Sequence, residues 1–559
     1  MSASALEGTI SRVRIDGLLL RCAALLAFTV AIIPAATLPA LPLPRFLTKS
    51  RTFYPLNDPH IPAVLRDANI DQPGAVSVVS ASDGAVWLST PTGLKRFDPT
   101  GTRRDRWQYF SGQRWLPDDN VLELAPDNQG GMWVRTATGI SHIELRKARL
   151  EERTPLFEDR VETRHNRHGL VADSRLTRPG DLTSNQPEPS DNDGLWTAIY
   201  GAAECFRYAA LKGAGDSAAQ ALARATRSVD ALLFLEHVTG IPGYPARSYV
   251  VQGESHPADG RWHNTSDGKF TWKGDTSSDE ITGHFFLYSV AFDLLPDAQL
   301  KQRIAAAASR IASHILSHGY TLTGLSGKPT TWGNWSPAYF ATPAGSCDST
   351  LNSIELLSYL KSAAHITGDP RFETEYHKAA YDLGYAQLAT RHLDLCHEIN
   401  YSDEELAMLS FYQLFRYETS DELLALYRKA LDQWWKNEER EKNPLWTFIY
   451  LAANPGAKAD LEGAVWILQR IPLDLIDWTV INSRRSDVPL DGGPDRFGRP
   501  QTTILLPPDE RPVMKWNGNP FVVDGGSGGA REDDGAFFLL PYWLGRYHKL
   551  IEEALSTKK

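Results

Sequence analysis

Between residues 75 and 145 apolar side chains alternate with polar ones, and from about residue 194 onward they recur every three to four positions. A period of two is a half-buried strand and a period of 3.6 an amphipathic helix. The chain must therefore fold as a modest β-rich segment followed by a much larger helical one. The helical stretch predicts about eleven helices, near 195–211, 217–237, 280–295, 297–317, 350–366, 371–390, 403–417, 421–435, 443–453, 459–470 and 536–553. The stripe Leu300, Ile304, Ile311, Ile315 and the run Leu222, Ala225, Val229, Leu232, Leu233 are two of its apolar faces. Long segments rich in Gly, Pro and Trp (239–275, 319–349 and 471–535) separate the helices. Loops of that length in a compact domain usually carry function.

At 559 residues the chain exceeds one ordinary core, and two domains are expected. In the β-rich part, Asp83–Leu94 and Gln129–Ile140 echo one another: Trp87 and Trp133 stand 46 residues apart, as do Gly93 and Gly139. A repeat of that size is one small sheet per copy. The shared pattern G-x-x-W-x-x-T-x-T-G-[LI] resembles the propeller repeats of periplasmic two-component sensors. Two copies cannot close a propeller, which needs four to eight blades, so this layer must lean on its neighbour. The helical part shows no regular 34- to 45-residue repeat of a solenoid. Its alternation of helices with elaborate loops resembles an (α/α)6 toroid, the fold of many glycoside hydrolases and polysaccharide lyases. The expected fold class is thus mainly α: a toroid-like helical domain over 191–559, a β-rich propeller-repeat remnant over 50–150, and a polar connector over 151–190. Residues 1–40 read as a signal peptide or N-terminal anchor.

That last reading rests on Cys22–Ile33, a strongly apolar stretch of twelve residues preceded by Arg12, Arg14 and Arg21. Twelve is short for a membrane span and fits a signal-peptide core, so export to the periplasm or the outside is expected, with no stable membrane partner beyond such an anchor. A net charge of −10, with no block of basic residues, argues against a nucleic-acid partner. Beyond Cys22 the cysteines are Cys205, Cys347 and Cys396, an odd number that excludes a disulfide scaffold but allows one bridge. No Cys/His spacing suits zinc, and no Gly-rich phosphate loop, Ser elbow, H-E-x-x-H or C-x-x-C pattern occurs. No metal and no cofactor are expected. Sixteen Trp and twenty Tyr suit a glycan binder, though most must serve the core.

Four acidic segments each open a helical pattern: Asp191–Gly194, Asp275–His284, Asn400–Glu405 and Glu532–Gly535. If the helices close into a ring, these segments can gather at one end. Asp279, Glu280 and His284 share the second, with Glu280 and His284 four apart on one helix face. Asp403 and Glu404 stand in the third and Asp193 in the first, so Asp279, Glu280, His284, Asp403, Glu404 and Asp193 are the catalytic candidates. Ser277-x-x-Glu280 and Ser402-x-x-Glu405 also have capping-box spacing, which accounts for part of the similarity without chemistry. Asp191-x-Asp-Gly lacks the downstream Glu of a calcium loop, since position 200 is Tyr. Candidate substrate contacts are Trp196, Trp272, Trp332, Trp335 and Trp516 as sugar platforms, with Asn517 as an amide partner. Arg247 is a cation that could hold a uronate, Lys515 stands beside Trp516 and Asn517 on the same loop, and Asp533 and Asp534 complete a rim.

These features predict a secreted glycoside hydrolase that cuts a poly- or oligosaccharide with two carboxylates. The alternative on the same fold is a polysaccharide lyase or uronate epimerase, using His284, Tyr288, His165 or His168 as base and Arg247 to hold a uronate. A third reading is a non-catalytic glycan-binding or sensory protein.

Overall fold

In the computed structural model the described residues are 40–66, 77–395 and 399–553. The apolar stretch Cys22–Ile33 and Cys396 lie outside them. Among the described residues no helix is long and apolar enough to cross a membrane. Cys205 is a buried free thiol, and Cys347 is disulfide-bonded.

Among its described residues the β-rich part has eight strands: β1 (Phe46–Tyr54), β2 (Val78–Ser80), β3 (Val86–Thr90), β4 (Gly93–Phe97), β5 (Trp107–Phe110), β6 (Val121–Pro126), β7 (Met132–Thr136) and β8 (Ile140–Ala148). The first repeat forms the antiparallel sheet β2-β3-β4-β5 and the second β6-β7-β8. The latter takes its fourth strand, β1, from ahead of the first repeat. Alternation turns Trp87, Leu94 and Phe110 of one sheet and Leu124, Met132, Val134 and Ile143 of the other into a single core. Two small sheets thereby share one interior that neither could fill alone. The echoed tryptophans part company: Trp87 is fully buried, whereas Trp133 stacks on His142 with ring centres 4.0 Å apart.

Six helices form the inner wall of the large domain: α1 (Asp193–Ala214), α2 (Ser278–Leu294), α3 (Pro343–Thr367), α4 (Tyr401–Tyr417), α5 (Pro444–Ala453) and α6 (Ala536–Tyr547). Each packs on the next, and α6 packs back on α1, so the ring closes. Helices Ala219–Val238, Ala298–Ser317, Pro370–His377, Asp421–Glu438, Leu461–Arg470 and Thr154–Arg160 lie outside it, against the inner wall. Their starts and stops follow local chemistry. Thr342 accepts the Gly345 N–H at 3.0 Å ahead of Pro343, and Asn443 accepts the Leu445 N–H at 3.0 Å ahead of Pro444. Gly215 and Gly368 end their helices at φ of 80° and 66°. The helix expected over 371–390 breaks after His377 into a π-turn, and that expected over 536–553 ends at Tyr547, giving way to a strand, Ile551–Glu553, that pairs in parallel with Leu41–Leu43. Gly283 lets α1 and α2 touch: a Cβ there would stand 2.9 Å from the Leu195 backbone.

Residues 151–190 are not a featureless connector. They hold Thr154–Arg160, a π-turn over Val161–His165 and four short strands within Asn166–Glu188. Their polar residues disguised this because they point inward. Arg160 and Arg164 grip Glu532 at 3.0 and 2.6 Å, and Arg153 donates to the Ile471 carbonyl at 2.6 Å.

The β-rich part is fastened to the ring by a buried ionic network. Asp509 accepts from Lys49 at 2.6 Å and from Arg470 Nε at 2.9 Å. Glu510 accepts from Arg470 at 3.0 Å, from Arg485 at 3.1 Å and from the Tyr109 N–H at 3.0 Å. Trp115 Nε1 donates to the Asp509 carbonyl at 3.1 Å.

A second buried cluster, Glu404, Glu438 and Glu441, lies between α4 and the outer helix Asp421–Glu438. Among the described residues neither carboxyl oxygen of Glu438 has a hydrogen-bond partner, and Glu404 and Glu441 lie close enough to share a proton. Burial, then mutual repulsion, raises Glu404 and Glu438 well above the ordinary carboxylate range, and burial pushes Glu441 up to about 8. The native state keeps protons that the unfolded chain releases above about pH 4.5, so stability should fall as pH rises from there through about 8. Glu438→Gln, a neutral isostere, is therefore expected to raise the urea midpoint at pH 8 by the equivalent of about 2 kcal/mol and to leave it nearly unchanged at pH 5. An equal shift at both pH values would refute this.

Candidate active site

The segments leading into the inner helices converge at one end of the ring and enclose a cleft of about 730 Å³. Among the described residues four carboxylates line it, and one of them, Asp495, is paired with Arg499. Asp279 is in the first turn of α2, Asp348 near the start of α3 and Asp403 in the first turn of α4. Helix starts favour negative charge, which helps hold several acids at one mouth. Asp279 accepts from Ser277 Oγ at 2.6 Å and from Asn192 Nδ2 at 3.5 Å. Asp403 Oδ1 accepts from Asn400 Nδ2 at 2.8 Å, and Asp348 Oδ2 from the Tyr339 hydroxyl at 2.5 Å. Burial, followed by the negative charges of Asp348 and Asp279, pushes Asp403 up to about 7.

Two further carboxyls lie buried close by, each held by a buried indole. Trp335 Nε1 donates to Glu355 at 2.8 Å and Trp516 Nε1 to Glu405 at 2.5 Å. Burial pushes both to about 8, and both also feel the Asp279 charge. Both stay neutral at mild pH.

Of the catalytic candidates, Asp279 and Asp403 reach the cleft, and the others go elsewhere. Glu280 is fully buried and completes the capping box, accepting the Ser277 N–H at 3.2 Å. Burial pushes it to about 8 despite Arg247 at 3.8 Å. His284 is fully buried, its ring nitrogens facing the carbonyls of Glu280 at 2.6 Å and Leu232 at 3.2 Å. Glu404 belongs to the cluster behind α4. Asp193 is fully buried on Arg167 at 3.0 Å and on Ser248 and Ser190. The second capping box does not form, because α4 begins at Tyr401 and takes Asn400 as its N-cap.

Among the substrate candidates, Trp332 and Asn517 line the cleft, and Trp332 is 60% exposed. Arg247 also borders it, but its guanidinium is committed: it donates to the carbonyls of Asp191 at 2.8 Å and Asp275 at 3.0 Å, and to Asn192 at 3.2 Å. It stitches the first acidic segment to the second and is not free to grip a uronate. Trp272, Trp335 and Trp516 are buried, the first in a three-stranded sheet built from the 239–275 segment. Lys515 lies 4.8 Å over the half-buried Trp196 ring and pairs with Asp534 at 2.8 Å and Asp533 at 3.8 Å. These four make a separate patch and are not among the cleft's lining residues. The proposed lyase bases also sit away from the cleft: Tyr288 and His165 are buried, and His168 pairs with Glu254 at 2.7 Å.

Sequence reasoning missed Asp348, Glu355, Arg440, Arg496, Phe497 and Arg499. Thr342-Pro343, an N-cap followed by proline, could have started α3 at 343 instead of 350 and put Asp348 at its mouth. The length of the 471–535 loop was the available signal for residues 494–501, which form one lip of the cleft.

No family model matches the chain, and no curated protein does. Among solved structures, a thermostable endoglucanase of Alicyclobacillus acidocaldarius is 13% identical, with a TM-score of 0.37, over 86% of this chain and all of its own. A family 76 glycoside hydrolase from a bovine Bacteroides thetaiotaomicron strain is 9% identical, with a TM-score of 0.39, over 84% and 98%. A metagenome-derived family 9 endoglucanase is 12% identical, with a TM-score of 0.32, over 92% and 98%. Likenesses this distant bear on neither substrate nor mechanism; the ring itself is established by the chain's own helix packing.

Proposed function

We propose that the protein is a glycoside hydrolase in which Asp403 is the general acid and Asp279 the partner carboxylate. The observation that carries this is the cleft at the ring's mouth, where Asp403 stands with Asp279 and Asp348 and, at about 7, still holds its proton in mildly acidic solution. A sugar chain laid across the mouth would meet the exposed ring of Trp332 and the amides of Asn334, Gln501 and Asn517. Asp403 gives its proton to the glycosidic oxygen as the C–O bond breaks. Asp279 takes a proton from the water that adds to the anomeric carbon, or attacks that carbon itself. The two routes differ in carboxyl spacing and invert or retain the anomer respectively. We read the two small sheets as a propeller-repeat remnant that braces the cleft lip, and the enzyme as exported through its apolar N-terminal stretch.

The test is a panel of poly- and oligosaccharides assayed in parallel for new reducing ends and for the ultraviolet absorbance of the C4–C5 double bond that a lyase leaves. Reducing ends without ultraviolet absorbance are expected, and proton NMR of the first product anomer tells inversion from retention. Products that absorb, or turnover that survives Asp279→Asn, would sink the reading.

A further inference from the structure

We propose that the cleft takes an acidic glycan, whose carboxylate or sulfate groups are received by Arg440 and Arg496; this rests on the glycoside-hydrolase reading of the same site. Among the described residues four arginines line the cleft. Arg247 is committed to loop carbonyls, as described, and Arg499 to Asp495 through Nε at 2.7 Å and Nη2 at 2.6 Å. Arg440 and Arg496 are exposed, and among the described residues neither has a carboxylate within ion-pair distance, although Arg440 also meets the Tyr401 hydroxyl and the Arg496 charge is felt by Asp403. Each is instead held against an aromatic ring, Arg440 at 4.2 Å from the centre of Phe521 and Arg496 at 5.0 Å from that of Phe497. Arginine stacked in this way keeps in-plane N–H groups for a planar or tetrahedral oxyanion, which it grips two bonds at a time.

Their placement fits such a ligand. Three of the cleft acids, Asp279, Asp348 and Asp403, stand on α2, α3 and α4, one half of the ring's mouth, and the fourth, Asp495, is taken up by Arg499. Arg440 precedes α5, and Arg496 lies in the long segment leading to α6, the other half. A chain of net charge −10 repels an acidic polymer at long range, and the cleft acids repel it at short range. An anionic sugar can bind only if its charge falls on the arginine half while the scissile bond lies over the acids. Phe497, 69% exposed and flanked by Arg496 and by Arg499 at 5.2 Å, offers a sugar face beside that charge.

The experiment is calorimetric binding to the full chain carrying Asp279→Asn, so that ligand is not consumed. One arm compares an oligogalacturonate with its carboxyl-reduced neutral form, the other a sulfated galactan oligosaccharide with its desulfated form. The acidic form of at least one pair should bind about tenfold or more tighter, and the arm in which it does so tells carboxylate from sulfate. Arg440→Gln with Arg496→Gln should erase that preference while changing neutral-form affinity less than about twofold, and the lysine pair should keep part of it. Equal affinities, a preference that survives the glutamine pair, or no binding of either acidic ligand overturns the proposal. Release of reducing ends from neutral glycans without acidic preference would sink it and leave the hydrolase reading intact. Acidic preference without any hydrolysis would do the reverse.

Discussion

Asp403→Asn is expected to lower kcat on an unactivated glycan by about 10²–10⁴-fold, the usual contribution of a positioned general acid. The side chain is isosteric and can still accept from Asn400, so the fold should stay intact. An aryl glycoside with a good leaving group needs little protonation, and its hydrolysis should suffer far less in this variant. Asp279→Asn should lose both substrates. The pH profile gives a second handle. Asp403 must be protonated to act, so kcat/KM should fall as pH rises through about 7. Asp348 is one of the charges that hold it there, so Asp348→Asn should move that alkaline limb to lower pH. Full activity of Asp403→Asn on natural glycans, or an unmoved limb in Asp348→Asn, would remove Asp403 from this role.

Asp509→Ala should destabilise the protein by about 3–5 kcal/mol, the typical cost of removing one partner from a buried ion pair. Asp509, Lys49 and Arg470 have side chains only 3%, 6% and 6% exposed. Burial opposes the Asp509 charge, but Arg470 and Lys49 outweigh it and hold the carboxyl below its usual range. Without it two cations face each other in the interior. Adding Lys49→Met should restore part of the loss, since it takes out one of those charges. Urea unfolding followed by tryptophan fluorescence measures both. Asp509 also sits on the segment that forms the cleft lip, so KM should rise in the single variant. A loss under about 1 kcal/mol, the range of an exposed pair, would mean that the network does not bind the β-rich part to the ring.

The helices were legible because their faces are amphipathic and their ends carry ordinary caps. The stripe Leu300–Ile315 and the run Leu222–Leu233 belong to helices within a few residues of the expected bounds. The 46-residue echo was legible as one sheet per copy, although the fourth strand of the second sheet comes from ahead of the first. The 151–190 segment was illegible because its arginines satisfy buried carboxylates, and a polar residue turned inward leaves no hydrophobic period.

The site was half legible. An acid-rich helix start looks the same in sequence whether its carboxylates cap, pair or face a cleft. Asp279 and Glu280 are neighbours on one helix, but a rotation of about 100° per residue turns Asp279 to the cleft and Glu280 into the ring. The same holds for Asp403 and Glu404. Asp348 and Glu355, on one helix far from any acidic run, reach the site only because α3 stands beside α2 and α4 in the closed ring. What the sequence alone determined is the class of the fold, the helices and the segments that open them, since these depend on local periodicity and capping. Which acids meet at the mouth, which are buried in ion pairs, and which arginines remain without a carboxylate were decided by ring closure, because charge and burial depend on neighbours that are distant in the chain.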